Sequence, residues 1–113
     1  MKFIIINGPN LNMLGQREPG IYGSESLEAV LQHLRDRYAP RGIQIDSFQS
    51  NHEGALIDRL QQAWSEGCDG IVLNAGAYTH TSVALHDAIR AIAPVPVVEV
   101  HISNVNEREE YRR

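Results

Sequence analysis

One cysteine, Cys68, stands in 113 residues. It has no partner for an intrachain disulfide, which fits a reducing, cytoplasmic compartment. Only one lysine, Lys2, is present, so the positive charge is nearly all arginine. Arginine suits fixed, bidentate recognition of carboxylates, although compositional bias of the source organism explains it as well. There is no block of Lys and Arg, and the net charge of −4 argues against a general nucleic-acid binder. No apolar run is long enough to span a membrane, and no signal peptide is expected ahead of the first strand. The sequence also lacks a Gly-x-x-x-x-Gly-Lys-Ser/Thr phosphate loop and a Gly-x-Gly-x-x-Gly after its first apolar run. No Ser lies in a nucleophile elbow, and no pair of His or Cys has metal-ligand spacing. These absences leave acid–base work on a small polar molecule, with no nucleotide and no metal.

What is present suits one domain with a real core, since 42% of residues are apolar. Phe3-Ile4-Ile5-Ile6 reads as a fully buried parallel strand. A long loop follows, Asn7-Gly8-Pro9-Asn10-Leu11-Asn12-Met13-Leu14-Gly15-Gln16-Arg17-Glu18-Pro19-Gly20-Ile21-Tyr22-Gly23. Long loops in compact domains are either functional or disordered, and this one is not of low complexity. Leu27, Val30, Leu31, Leu34 and Tyr38 recur at helical spacing, closed by Pro40 and Gly42. Residues 43–48 alternate apolar and polar as a half-exposed strand would, and residues 49–54 form a polar loop. Leu56, Ile57, Leu60, Ala63 and Trp64 make a second helical stripe, stopped by Gly67. Residues 70–76 read as a short buried strand running into a small-residue turn. A third helix is expected from about Thr81 or Ser82 to Pro94, then a fourth strand over residues 95–102. Residues 107–113 look like the start of a fourth helix.

Strand and helix alternate throughout, so the fold class is α/β with a parallel sheet. Ligands in such sheets bind beyond the carboxyl ends of the strands, at the topological switch point. Three segments qualify: residues 7–22, 74–82 and 99–104. All are rich in Asn, His, Ser, Thr and Arg, whereas the opposite-end connections carry ordinary turn residues.

Glu99 and His101 are two apart on the expected fourth strand, so their side chains share a face. A carboxylate beside an imidazole holds one tautomer and stabilises the protonated form, a general acid–base arrangement. A satisfied pair that does no chemistry is the alternative, and the switch-point location favours catalysis. Arg17 and Tyr22 share the first loop. A guanidinium beside a phenol favours the phenolate, which can abstract a proton next to a ketone. From spacing alone, a surface arginine and a packing tyrosine explain them better. Asn10, Asn12 and Asn74 suit amide contacts to a hydroxylated or anionic ligand, or ordinary turn chemistry; Asn74 is the strongest because it ends a buried strand. His80 reads equally as a ligand donor or a helix-start residue. Asp87 and Arg90 fall off the apolar stripe and read as solvated charge, or as contacts to another subunit. His33 and His86 read as ordinary exposed helix positions, and His52 sits uninformatively in a polar loop.

The first loop closely resembles the signature of the type II 3-dehydroquinate dehydratase family. So do Gln49-Ser50-Asn51-His52-Glu53-Gly54, Asn74-Ala75-Gly76-Ala77-Tyr78-Thr79-His80-Thr81-Ser82 and Glu99-Val100-His101-Ile102-Ser103-Asn104. Four ordered motifs spanning the chain make the resemblance specific. It implies a flavodoxin-like fold and the shikimate-pathway dehydration of 3-dehydroquinate to 3-dehydroshikimate. The implied reaction is an anti elimination through an enolate, with no cofactor. It also implies a cytoplasmic homododecamer, a tetramer of trimers.

By the same resemblance Tyr22 is the base and Arg17 favours its phenolate. His101, steadied by Glu99, is the acid that protonates the departing hydroxyl. Asn10 holds a water near the enolate oxygen. Asn74, His80, Ile102, Ser103 and Arg112 bind substrate, and Asp87 is lent to the neighbouring subunit's site. The loop carrying Arg17 and Tyr22 resembles a lid that closes over substrate. Family members continue past the position of Arg113 with a fifth strand and a final helix. Their lack here implies a single flavodoxin-like domain, residues 1–113, short at its C-terminal end, with the fourth strand as an unpaired edge. The shortened end leaves a second reading, a catalytically idle ligand-binding or assembly module.

Overall fold

The computed structural model describes residues 1–13 and 26–101. The apolar run at the start forms β1 (Lys2–Asn7), and the next elements are α1 (Leu27–Tyr38) and β2 (Gln44–Gln49). Then come α2 (Glu53–Ser65), β3 (Gly70–Asn74), a one-turn α3 (Tyr78–Thr81), α4 (Val83–Ala91) and β4 (Val97–Glu99). The four strands make one parallel sheet in the order β2-β1-β3-β4. From β1 the chain first steps to one side, then crosses back over β1 to β3. Because parallel crossovers are right-handed, steps in opposite directions put their helices on opposite faces. The gap between β1 and β3 is therefore the switch point.

The two faces are unequal. Ile4, Ile6, Ile71 and Leu73 point to one face and pack with Leu56, Leu60 and Ala63 of α2 and Leu85 and Ala88 of α4. Ile4 and Ile6 have no exposed surface at all. On the other face α1 lies over β2, buries Leu31, and sends Arg35 to the Ile45 carbonyl at 3.3 Å and the Ser47 hydroxyl at 2.7 Å. Ile5 and Val72 stay half-buried there. So Ile5 is only half-buried between fully buried Ile4 and Ile6, because among the described residues α1 alone covers its face while α2 and α4 cover the other.

Two boundaries differ from the sequence-based expectation. The third helix is preceded by the separate turn α3, and Ser82 lies between them as the N-cap of α4. Its buried hydroxyl accepts the Leu85 N–H at 2.9 Å. Ser82→Ala should cost about 1–2 kcal/mol, the usual worth of a lost cap, read as a lower urea midpoint with unchanged slope. An unchanged midpoint would remove the cap from the account. The fourth strand covers Val97–Glu99 rather than residues 95–102. Pro96 has no N–H for the ladder, and its carbonyl serves only as the acceptor for Ile71 N–H. β4 ends the described sheet on its side, with Val98 exposed. The expected helix at residues 107–113 lies outside the described residues.

The amino edge of the sheet is held by charge. Lys2 Nζ lies 3.4 Å from both the Asp46 and Glu66 carboxylates, tying β1 to β2 and to the end of α2. Glu66, then Asp46, raise the Lys2 ammonium above its ordinary range. The Gln44 amide, more than Lys2, lowers Asp46, and the Gln62 amide, more than Lys2, lowers Glu66. These pairs are partly exposed and organise the end of the sheet away from the polar loops.

Candidate active site

Register aligns the strand ends into a row. Asn7 lies opposite Gln49 on one side and opposite Asn74 on the other. Three amide side chains thus end three neighbouring strands at one level, at the switch point. Glu99 lies one step lower, opposite Leu73, and so shares the face that Leu73 presents to α2 and α4.

The loops above this row are locked to each other through backbone. Gly8 N–H donates to the Asn74 carbonyl at 2.7 Å, and Ser50 N–H donates to the Asn7 carbonyl at 3.0 Å. A Cβ on Gly8 would run into the Ala75 carbonyl group, so only glycine allows this approach. Gly76, at φ +61°, turns the chain under Pro9, whose carbonyl oxygen lies 3.2 Å from where a Cβ would stand. Asn10 also has a left-handed backbone, at φ +69°. Among non-glycine residues Asn tolerates that region best, and such strain gathers at functional sites.

Asn10 heads a 3-10 turn, Leu11–Met13, in which Met13 N–H reaches the Asn10 carbonyl at 3.0 Å. Its own N–H donates to Asn51 Oδ1 at 3.0 Å. Asn51 Oδ1 also accepts from Gln49 Nε2 at 3.2 Å, and Gln49 Nε2 donates to the Gly8 carbonyl at 3.2 Å. The Asn51 carbonyl in turn accepts the Tyr78 hydroxyl at 3.2 Å. Residues from the ends of β1, β2 and β3 are joined in one polar cluster.

Of the residues singled out from sequence, Asn10 and Asn74 belong to this cluster without touching in any described bond: Asn10 is held by Asn51, and Asn74 enters through its carbonyl, which takes Gly8 N–H. His80 lies on α3, directly above β3 in sequence. Asp87 and Arg90 are exposed on α4. The expected Glu99–His101 strand pair is different in the structure. The ladder stops at Glu99, so strand alternation does not hold His101 to the same side, and His101 is an exposed residue past the strand end. Among the described residues the ion-pair partner of the Glu99 carboxylate is His86 of α4, with Nδ1 at 3.7 Å. His86 is therefore not the ordinary exposed helix position expected of it. α4 packs on the face that Glu99 shares with Leu73, which sequence spacing does not disclose. Arg17, Tyr22, Ile102, Ser103 and Arg112 lie outside the described residues.

Gln49, Asn51 and Tyr78 escaped the residue-by-residue reading. Their signal was present only as position: each stands at or just after the carboxyl end of a strand. Among the described residues, no three His, Cys, Asp or Glu side chains gather as a metal site.

Comparison with known proteins is consistent across the chain. Residues 1–113 match the family described as dehydroquinase class II. A 3-dehydroquinate dehydratase of Mesorhizobium japonicum is 56% identical over 108 residues, covering 96% of this chain and 74% of the relative. One from a Synechococcus strain is 53% identical over 112 residues, covering 99% of this chain and 75% of the relative. The crystal structure of a type II dehydroquinase from Butyrivibrio crossotus superposes with a TM-score of 0.94 at 52% identity, covering 99% of this chain and 77% of that one.

Proposed function

The chain belongs to the class II dehydroquinase family, and we propose that it removes water from 3-dehydroquinate to give 3-dehydroshikimate. The observation that carries this reading is the polar cluster at the switch point, where Gly8, Gln49 and Asn51 link Asn74 to Asn10, in a fold that closely matches a solved type II dehydroquinase. The idle-module reading draws no support from the comparisons, because the named relatives it matches at about half identity are dehydratases.

In the reaction, Tyr22 as phenolate takes the proton next to the ketone, with Arg17 favouring its ionised form. The electron pair moves into the enolate. Asn10, held in its left-handed turn, places a water against the enolate oxygen, where charge develops. The enolate then expels the hydroxyl group, which leaves as water with a proton from His101. Glu99, at the end of β4 with its carboxylate 3.7 Å from His86 Nδ1, steadies His101. Asn74, His80, Ile102, Ser103 and Arg112 hold the ring hydroxyls and carboxylate. Exposed Asp87 suits a neighbouring copy's site, in the dodecameric assembly of the family. The place of work is the cytoplasm, in the shikimate pathway.

Adding 3-dehydroquinate to the purified chain should produce the ultraviolet absorbance of a conjugated enone, and adding chelator should leave the rate unchanged. A folded protein that binds 3-dehydroquinate and forms no enone would overturn the assignment.

A further inference from the structure

Asn51 is the only side chain in the described site whose oxygen holds two donors from different strand ends, Asn10 N–H at 3.0 Å and Gln49 Nε2 at 3.2 Å. Asparagine in a loop ordinarily bonds the backbone about two residues on. Here one donor is 41 residues away. The orientation of both amides follows from their neighbours. The Gly8 carbonyl can only accept, so Gln49 must turn its NH2 group toward it. The Asn10 N–H can only donate, so Asn51 must offer oxygen. The Tyr78 hydroxyl holds the same residue from the side of β3 through its carbonyl. Asn10 itself is exposed and strained, with φ at +69°. Among the described residues, the backbone bond that Asn10 makes within its own turn is as acceptor for Met13 N–H. Its backbone is thus gripped from outside its own loop, by Asn51.

We propose that Asn51 is a positioning residue for the dehydration. Its side-chain oxygen, oriented by Gln49, fixes the backbone of Asn10 in the left-handed conformation that points the Asn10 amide at the developing enolate. This rests on the dehydratase reading for the role of Asn10, while the anchoring itself rests on the hydrogen bonds alone. Only an acceptor is needed at Asn51, because both partners donate. A carboxylate should therefore serve where an alanine does not.

Asn51→Ala should lower kcat by about ten- to a hundredfold, the scale of a slightly misplaced catalytic group, with KM changed about threefold or less. Asn51→Asp should restore most of the rate. In an Asn10→Ala background, Asn51→Ala should cost no more than about twofold further, since residues acting as one unit are not additive. Full multiplication of the two losses would overturn the proposal, as would an Asn51→Asp variant as slow as Asn51→Ala. Hydrogen exchange at the Asn10 amide is read in the same proteins. It should lose protection in Asn51→Ala and keep it in Asn51→Asp. Unchanged protection in Asn51→Ala overturns the anchor whatever the turnover of the unmodified chain. A chain that turns over no 3-dehydroquinate, yet loses Asn10 protection in Asn51→Ala, overturns the dehydratase reading and upholds the anchor.

Discussion

Tyr22→Phe should lower kcat for the dehydration of 3-dehydroquinate by roughly a hundred- to ten-thousandfold, the span a positioned acid–base group contributes. The change removes one oxygen and keeps the ring, so the loss falls on chemistry. A phenol ordinarily ionises near pH 10, and a guanidinium beside it favours the anion, the role proposed for Arg17. Phenylalanine has nothing to ionise. The other proposed groups, Asn74 and His101 on other segments and Asn10 earlier in the same loop, are untouched and should still bind substrate. The measurement is enone absorbance against time, alongside substrate binding by calorimetry. Binding within a few-fold of the unmodified protein and a rate down by about a hundredfold or more support the base. A variant that keeps more than about a tenth of the rate would take that role from Tyr22.

The same kind of substitution at two glycines should act with opposite sign. A Cβ on Gly8 would come within 2.7 Å of the Ala75 carbonyl carbon, and its oxygen would be nearer still. Both are backbone atoms, so neither can swing aside. The chain must open the junction between β1 and β3 and stretch the 2.7 Å bond from Gly8 N–H to the Asn74 carbonyl. Gly8→Ala should destabilise by about 1–3 kcal/mol or more, as overpacking does, and should cut turnover because both site loops move. Gly54, in the first turn of α2, has nothing within 4 Å of its Cβ position. Gly54→Ala should stabilise by about 0.4–1 kcal/mol by narrowing the unfolded ensemble, with turnover unchanged. Urea unfolding of both variants checks the pair. Equal midpoints would mean that the Gly8 contact is not a constraint.

Much of the fold was legible because its signals are local. Ile4 and Ile6 sit in an apolar run, Leu56 and Leu60 recur at helical spacing, and Gly67 stops the helix they lie on. The rule that ligands gather at carboxyl strand ends then selected the segments holding Asn10 and Asn74 without knowledge of any contact. Where readings went astray, the cause was non-local. His86 looked like an ordinary helix residue until α4 packed on the face that Glu99 shares. Residues 95–102 looked like one strand, although residues pair with β3 only over Val97–Glu99, with flanking backbone bonds at Pro96 and Val100.

The amino-acid order by itself determined the alternation of elements, their apolar faces and the motifs that carry the family resemblance. Each depends on residues a few places apart. Tertiary structure alone decided which amides stand side by side: Gln49, Asn7 and Asn74 share a level only because three parallel strands pair in one register. It also decided that Asn51 grips a backbone 41 residues away. A side chain's type can be read from sequence, but its hydrogen-bond partner across a sheet depends on register and loop closure. Both are set by the whole core at once.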